Sequence, residues 1–394
     1  MKIYFVTRQP YPFGAAMTNR LYCYAKGIAD NNCECEIVVC IPTETDSNIR
    51  NKESVGEYNG TSFRYSTNNT IRSRSFFKRR IDDILGYTKT FFYLISKTKR
   101  DDVVVETSKS RLWYFFLFIA RYFRSFKLVY ELNEYPLVTT KQTKKIELKR
   151  KKLEKFAFSR LNGVIAISET LKEYATAITK AQIIKVPIII DKDTTNNITL
   201  DTPPIDTPYI FHSGTLTERK DGVCGMLEAF GIAKPSLPQD ARFILTGNLE
   251  KSPDKEKMKE IIRKYDIGNS VEFVGYLDLE TLRRYQKYCS LVIINKYPTE
   301  QNKYCFATKT GEYLAFSRPI IMTRVGEAMN YFKDKENAYI VEPNDSNHIA
   351  EKIIDIFKHP DEAKKIGERG FLLTESDFNY KTQGKKMIDF FKSL

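Results

Sequence analysis

The 394-residue sequence has few of the residues that define several common kinds of site. It holds seven cysteines, none of them in a C-x-x-C pair, and three histidines. A disulfide framework or a zinc site is therefore not expected, and reduced, mostly buried thiols are the better interpretation. The motifs G-x-G, G-x-x-x-x-G-K-[ST] and G-x-S-x-G are all missing. A dinucleotide fingerprint, a P-loop and a hydrolase nucleophile elbow thus have no support.

Long hydrophobic runs are missing as well. The longest, residues 112–120, has about half of the roughly 20 residues that a membrane-spanning helix needs. Lys2 is followed directly by the strand-like stretch IYFV, with no small-residue cleavage site behind it, so we expect no signal peptide. These features predict a cytoplasmic protein, either free or peripheral on the inner face of the membrane.

Positive charge is plentiful but unevenly distributed. Residues 1–190 carry 33 Lys and Arg against 18 Asp and Glu, whereas residues 191–394 carry 30 against 31. Basic residues alternate with phenylalanine in residues 72–80 (RSRSFFKRR) and 141–158. This composition predicts an anionic membrane surface as a partner, with a solvated lysine-rich helix face as the alternative. Nucleic acid is not expected as a partner, because no recognised binding module accompanies the charge.

The order of apolar segments predicts an α/β fold. Val- and Ile-rich strands such as VVVE alternate with helix-like segments in both halves of the chain, as in doubly wound parallel sheets. The polar, proline-rich residues 191–208 read as a linker. We therefore predict two Rossmann-like, doubly wound parallel-sheet domains facing each other across a cleft. The predicted segments are domain 1–190, linker 191–208, domain 209–377, and a terminal helix at 378–394 that can pack back on the first domain.

Loops that follow strands are the places where such folds bind ligands. In the first of these loops, Gly14 and two alanines allow close approach of backbone to a ligand, or alternatively tight packing against the sheet. Glu131 and Glu134, in YELNEYP, can accept a proton or hold sugar hydroxyls. The alternative for these two acids is a helix-capping or surface role.

The stretch HSGTLTERKDG follows the first strand of the second half. Gly214 is expected to form the turn, and Lys220 to lie at the start of the next helix, where the helix dipole favours a phosphate. Arg219 can share that task, although a solvated Lys–Arg pair is the alternative. His212 reads as an ordinary strand-end residue.

The stretch FATKTGEYLAFSRPII places Lys309 and Glu312 three residues apart on one helix face. At the surface such a pair is an ordinary salt bridge of little energetic weight. Here the helix continues into core residues, so its first turn is expected at the sheet edge. There Glu312 can accept both hydroxyls of a ribose and Lys309 can meet a phosphate. The backbone amides of residues 305–308, including that of Thr308, can contact a sugar or a diphosphate.

These segments together resemble the family 4 retaining glycosyltransferases of GT-B fold. The second half matches through HSGTLTERKDG, ARFILTGNLE, VEFVGYLDLETLRRYQKYCSLVII and FATKTGEYLAFSRPII, in that order. The first half matches through YPFGAAMTNR, YELNEYP and LEKFAFSRLNGVIAIS. The resemblance implies transfer of a sugar from a nucleotide-sugar co-substrate with retention of anomeric configuration. It implies no metal ion and no other cofactor.

Residue roles follow from the resemblance position by position. Lys220 is similar to the diphosphate-binding lysine of the family, and Glu312 to its ribose-binding glutamate. Gly14 is similar to the loop glycine near the donor phosphates. Glu134 falls where the first domain presents a polar side chain to acceptor or donor. All of Lys220, Glu312 and Glu134 are therefore expected to serve catalysis.

Two positions depart from the family pattern. Tyr304 stands where the first glutamate of the pair is usual, and Thr215 where an arginine usually follows the turn glycine. Tyr304 can stack on a ring or hydrogen-bond through its hydroxyl, and Arg219 can replace the missing guanidinium.

The function implied is sugar transfer to a glycan or polyprenyl-linked acceptor in the synthesis of cell-surface polysaccharide or glycolipid. The alternatives are a catalytically inactive nucleotide-sugar-binding subunit, a GT-B-like sugar-nucleotide epimerase, and a phosphorylase. An epimerase needs more ionisable groups in the cleft than the sequence identifies. A phosphorylase needs a cofactor lysine, and the sequence identifies none.

Overall fold

The computed structural model describes residues 1–107, 110–134, 144–193 and 202–394. It divides the chain into two compact units. The N-terminal unit comprises Met1–Ile189 together with Asp377–Leu394, and the C-terminal unit comprises Ile190–Ser376. Residues 194–201 of the predicted linker, and residues 141–143 of the second basic stretch, lie outside the described residues.

The N-terminal unit is built on an eight-stranded sheet with the order β3-β4-β2-β1-β5-β6-β7-β8. All neighbouring strands run parallel except β3, which is antiparallel to β4 at the edge. The elements in chain order are β1 (Lys2–Thr7), α1 (Ala16–Ala29), β2 (Glu34–Val39), β3 (Val55–Tyr58), β4 (Thr61–Tyr65), α2 (Phe76–Lys97), β5 (Val103–Glu106), α3 (Arg111–Arg124), β6 (Lys127–Leu132), α4 (Lys144–Ala157), β7 (Gly163–Ala166), α5 (Glu169–Ile178) and β8 (Gln182–Lys185).

The edge hairpin β3–β4 has no counterpart in the sequence prediction. Its strands are short, and β3 alternates exposed and half-buried residues instead of forming a continuous apolar run. The turn between them is Asn59–Gly60, and both residues have positive φ, 46° and 76°. An Asn-Gly pair between two short strands is the usual signal of a tight hairpin turn, so the dipeptide alone could have predicted it.

The C-terminal unit contains a six-stranded, wholly parallel sheet with the order β11-β10-β9-β12-β13-β14. Its elements are β9 (Tyr209–His212), α6 (Glu218–Asp221), α7 (Val223–Ala233), β10 (Arg242–Leu245), α8 (Lys255–Lys264), β11 (Val271–Phe273), α9 (Leu279–Tyr288), β12 (Leu291–Ile294), α10 (Glu300–Tyr304), α11 (Lys309–Leu314), β13 (Ile320–Thr323), β14 (Tyr339–Val341), α12 (Ser346–Lys358) and α13 (Pro360–Phe371).

Both sheets follow the doubly wound pattern, which confirms the predicted fold class of two Rossmann-like α/β units. In the C-terminal sheet the strand order reverses between β9 and β12, and ligands of open α/β sheets bind beyond the carboxyl ends of the strands at such a point. The loops after β9 and β12 therefore mark the place in this unit where a ligand site is expected.

The last helix, α14 (Tyr380–Ser393), belongs to the N-terminal unit and packs along α1. The Tyr380 hydroxyl donates to the Asp30 carboxylate at 2.8 Å. Met387 and Phe391 lie in the same hydrophobic core as the central strands of this unit. None of the helices in the described segments is both long enough and apolar enough to cross a membrane.

Candidate functional site

Lys220 lies on α6, the single helical turn that follows the β9 loop, and its side chain is exposed. The turn is held in place mainly through Glu218. Its carboxylate accepts from the Tyr297 hydroxyl at 2.6 Å and from the Cys224 N–H at 2.6 Å. Gly222, with φ of 61°, separates α6 from α7. Lys220 therefore precedes the long helix by a separate turn, whereas the sequence predicted it at the start of that helix.

Asp221 is the centre of a buried polar cluster that the sequence did not reveal. Its side chain is 4% exposed, and its Oδ1 lies 2.8 Å from Lys296 Nζ and 2.9 Å from Lys309 Nζ. The Thr215 hydroxyl and N–H donate to Oδ2 at 2.7 and 3.0 Å. Lys296 also donates to the backbone carbonyl of Lys220. One carboxylate thus joins the loop after β9, the loop after β12 and the start of α11.

The cluster carries two ammonium groups for one carboxylate, and the pKa shifts reflect this. Burial raises the pKa of Asp221, but the adjacent Lys309 and Lys296 outweigh burial and hold it well below its usual range. Burial lowers the pKa of Lys309 to about 8, despite the opposing effect of Asp221. The Lys309 side chain is 15% exposed. This edge of the sheet therefore has an excess of positive charge that an anion would neutralise.

Gly214 forms the turn that the sequence predicted. A Cβ atom at this position would lie 2.9 Å from Lys309 Nζ, 3.0 Å from Asp221 Oδ2 and 3.1 Å from His212 Nε2, so only glycine fits without displacing the cluster. His212 ends β9 and is fully buried, in agreement with its interpretation as a strand-end residue. Burial, followed by the nearby charge of Lys309, lowers the pKa of His212 to about 3.

Helix α11 begins at Lys309, directly after Thr308, whose carbonyl accepts from the Gly311 N–H at 3.2 Å. Lys309 reaches Asp221 and also donates to the Ser213 carbonyl at 3.3 Å. Glu312 accepts from the Gln286 side-chain amide at 3.5 Å. The structure thus brings Lys309 to the Asp221 cluster, and Lys309 forms an ion pair with Asp221.

Two further predicted residues lie on or against α10. Tyr304 ends this helix, and the Lys303 ammonium lies 5.9 Å from the centre of its ring. The exposed Arg219 donates to Gln301 Oε1 at 2.8 Å. Arg219 therefore points towards α10, where it has a hydrogen-bond partner of its own.

The predicted residues of the N-terminal unit lie after β1 and β6. Gly14 precedes α1, and a Cβ atom there would be 2.0 Å from Thr18 Oγ1, so this glycine packs closely against the first turn of α1. Glu134 follows β6 and is exposed. Glu131 is buried, and its Oε1 accepts from Arg20 Nε at 2.8 Å. Arg20 also donates to the carbonyls of Val186 and Pro187, so Glu131 belongs to a closed structural ion pair.

Two solved structures of known proteins match the whole chain in fold. Sucrose-phosphate synthase from Thermosynechococcus elongatus superimposes with a TM-score of 0.71 at 16% identity, covering 100% of this chain and 98% of that one. HepE from Anabaena superimposes with a TM-score of 0.68 at 14% identity, covering 100% of both chains. Together with the two doubly wound sheets, these matches define the GT-B fold class.

The sequence comparisons identify the family of the C-terminal unit. Residues 201–372 match the family model described as "Glycosyl transferases group 1", so this unit is a domain of that family. The uncharacterized glycosyltransferase MJ1178 from Methanocaldococcus jannaschii is 24% identical over 115 residues, which is 29% of this chain. The match spans about a third (31%) of the length of that protein. The resemblance drawn from the sequence is thereby confirmed at the level of this domain.

Proposed function

We propose that the chain is a retaining, metal-independent glycosyltransferase. In this proposal it moves a sugar from a nucleotide-sugar donor to a glycan or lipid-linked acceptor during synthesis of cell-surface polysaccharide, on the cytoplasmic side. The observation that carries the proposal is the Asp221 cluster. Two half-buried ammonium groups share one buried carboxylate at the point where the strand order reverses, and the exposed Lys220 precedes that carboxylate directly in the chain.

The diphosphate of the donor is the ligand that this charge fits best. Lys220 supplies an exposed ammonium for it, while Lys296 and Lys309 supply positive charge that needs no reorganisation. In the same proposal Glu312 holds the ribose hydroxyls, Thr308 offers its backbone amide, and Tyr304 contacts the donor sugar. HepE from Anabaena, a neighbour in fold, has been solved with UDP and with UDP-glucose, which supports the choice of ligand class.

The proposed chemistry rests on electrostatics. When the bond between the sugar and the donor breaks, negative charge develops on the departing diphosphate, and Lys220 with the buried cluster stabilises it. The acceptor hydroxyl attacks the same face of the sugar that the diphosphate leaves. Arg219 and Gly214 are proposed donor contacts. For the N-terminal unit, Gly14 is proposed to lie near the donor phosphates and Glu134 to serve the reacting hydroxyl.

Calorimetric titration with UDP-, GDP- and ADP-sugars tests donor binding. We expect Lys220→Ala and Glu312→Ala each to weaken the affinity by about tenfold or more, because each removes a charged hydrogen-bonding partner of the nucleotide. Lys259→Ala, on the outer face of α8, is the matched control and should bind as the wild type does. Absence of binding to every nucleotide sugar would overturn the donor site.

Turnover is tested separately, by donor hydrolysis without acceptor and by the anomeric configuration of the product. Wild type should release nucleotide faster than Lys220→Ala and Glu312→Ala, and the product should keep the configuration of the donor. If the wild type binds the donor but all three proteins release nucleotide equally slowly, the result would instead support the second candidate function.

That second candidate is a nucleotide-sugar-binding subunit without transferase activity. The presence of Thr215 favours this candidate, because the family usually has an arginine at that position. The Thr215 hydroxyl donates to Asp221, and Arg219, the nearest substitute, donates to Gln301. A phosphate contact made by the family can therefore be missing while the buried cluster still binds the donor.

A further inference from the structure

Helix α2 exposes an apolar stripe along its outer face. The large apolar residues of this stripe recur at helical spacing, and two of them, Phe77 and Ile84, are 78% and 67% exposed. The exposed large apolar side chains of α2 are Phe76, Phe77, Ile81, Ile84, Leu85 and Phe92. Single exposed apolar residues are common in soluble proteins, but a stripe that runs the length of a helix is not.

The stripe faces outwards because the opposite side of α2 is tightly docked. Gly86 lies so close to the sheet that a Cβ atom would be 2.0 Å from the Cys40 carbonyl oxygen. One turn further, the Thr90 hydroxyl lies 2.7 Å from the Ser66 hydroxyl, and Leu94 is fully buried. The helix cannot rotate to bury its apolar stripe without losing these contacts.

Helix α3 repeats the arrangement beside α2. Its inner face is buried, whereas its outer face exposes a second set of large side chains: Leu112, Phe115, Phe116, Tyr122 and Phe123. The two helices are in contact, because the rings of Tyr87 and Trp113 lie 4.7 Å apart and those of Phe91 and Phe116 lie 5.7 Å apart. The exposed side chains of α2 and α3 together form what we call the aromatic face.

Exposed basic residues accompany the aromatic face. Helices α2 and α3 contain eight basic residues, of which five are exposed: Lys78, Arg80, Lys89, Lys97 and Arg111. Arg121 and Arg124 are half-buried and donate to the backbone carbonyls of Arg160 and Thr98. The two acids of these helices, Asp82 and Asp83, lie on the half-buried side of α2, and Asp83 lies 3.6 Å from Arg8 and 3.8 Å from Arg72. A second copy of the chain would bring two such positive faces together, which is unfavourable. An anionic surface complements both the charge and the apolar side chains.

We propose that the aromatic face docks the N-terminal unit on an anionic lipid bilayer. The phenylalanine, isoleucine and leucine side chains enter the boundary between headgroups and acyl chains, while the lysines and arginines contact lipid phosphates. This proposal does not depend on the transferase activity. It involves two whole helices, whereas the sequence indicated only the start of α2 together with residues 141–158.

Helix α4, in the described part of that second stretch, differs from α2 and α3. It is rich in lysine. Within the described residues, Leu148 is the one large apolar side chain that this helix exposes. Phe156 packs on the ring of Phe118, 5.6 Å away, and Phe158, just after the helix, is buried. Its aromatic residues therefore face the protein, and α4 presents a solvated, charged surface.

Cosedimentation of the full chain with lipid vesicles tests the proposal. Wild type should bind vesicles of phosphatidylcholine mixed with phosphatidylglycerol, and bind those of phosphatidylcholine alone more weakly. The double variant Ile84→Glu/Phe123→Glu should lower the partition coefficient by at least about tenfold, because it removes apolar contacts and adds charge that the lipid repels. Both positions are exposed, so the melting temperature should stay unchanged.

Matched variants separate the aromatic face from other surfaces. Tyr276→Glu/Leu372→Glu changes two exposed apolar residues of the C-terminal unit, and should bind as the wild type does. Lys151→Ala/Lys152→Ala on α4 should keep most of the binding. Raising the salt from about 0.1 to about 0.5 M should weaken it, because the screening length shortens.

Two results would overturn the proposal. One is equal vesicle binding by wild type and Ile84→Glu/Phe123→Glu. The other is a wild type that does not bind vesicles and is a dimer in their absence, while the same double variant is a monomer. The second result would assign the aromatic face to contact between two copies of the chain.

Discussion

Each unit buries a cation–carboxylate cluster near the carboxyl end of its sheet, and the two clusters differ in balance. In the N-terminal unit one Arg20 meets one Glu131, and the remaining guanidinium donors reach the backbone carbonyls of Val186 and Pro187. In the C-terminal unit one Asp221 meets both Lys296 and Lys309. The first cluster pairs one positive charge with one negative charge, whereas the second carries an extra positive charge.

This difference separates a structural pair from a prepared binding site. A buried pair with equal charges and complete hydrogen bonding has nothing left to offer a ligand. A cluster with surplus charge is stabilised further when an anion arrives, and its geometry is already set before binding. Variants of the two clusters should therefore differ in stability and in ligand affinity.

Arg20→Met should have the largest effect. It leaves Glu131 buried without its counter-charge, which should lower the free energy of unfolding by about 3–5 kcal/mol. Urea denaturation measures this loss. Arg74→Met, which removes an exposed arginine paired with Asp46, is the control and should cost less than about 0.5 kcal/mol. A loss no larger than the control's would show that the Arg20 cluster does not hold the unit together.

Acid should weaken the C-terminal unit through His212. Its pKa is about 3 in the fold and 6.5 in the unfolded chain, so below pH 6.5 the unfolded state takes up the proton first. This group's contribution to stability should therefore fall by about 1.6 kcal/mol between pH 6.5 and 5. Urea denaturation at both values compares wild type with His212→Gln. An identical fall in the two proteins would remove His212 as the cause.

Gly214→Ala should have an intermediate effect on stability and a clear one on binding. The added Cβ pushes on Lys309, Asp221 and His212, which should cost about 1–2 kcal/mol of unfolding free energy. Displacing the cluster should also weaken nucleotide-sugar binding in the calorimeter. Gly268→Ala is the matched control, because a Cβ there meets only one atom, at 3.9 Å. Unchanged binding by Gly214→Ala would place the ligand elsewhere.

Lys296→Met should affect stability least. Asp221 keeps Lys309 as its partner, so we expect a loss below about 1 kcal/mol, in contrast to Arg20→Met. Affinity for a nucleoside diphosphate should nevertheless fall by about tenfold, because the surplus charge is gone. Titration calorimetry measures the affinity of the folded variant, and scanning calorimetry measures its stability. A large loss of stability together with unchanged affinity would reverse our assignment of the two clusters.

Much of the fold follows from local sequence patterns. Continuous Val and Ile runs such as VVVE, which forms β5, predicted strands, and their alternation with helix-like segments predicted the two parallel sheets. The edge hairpin was not predicted, because its short strands lack such a run. A continuous apolar run predicts a buried strand by itself. In a half-exposed edge strand such as β3, neighbouring segments decide which residues are buried, so the local pattern is weaker.

The candidate site was predictable only in part. Gly214 and Lys220 lie in the stretch that follows β9, and Lys309 opens a helix, so their positions marked them. Asp221 and Lys296 lie 75 residues apart, and only the pairing of β9 with β12 brings them together. Asp221 follows Lys220 directly and Lys296 comes two residues after β12, but neither position alone indicated that the residue would be buried in an ion cluster.

The return of α14 to the N-terminal unit has a consequence for synthesis of the chain. The core around Met387 and Phe391 contains strands that are translated before the C-terminal unit, yet it closes only after residues 377–394 have left the ribosome. The C-terminal unit, encoded by one continuous stretch, can fold earlier. The N-terminal unit, although its strands are translated before the C-terminal unit, therefore needs the last helix of the chain to complete its core.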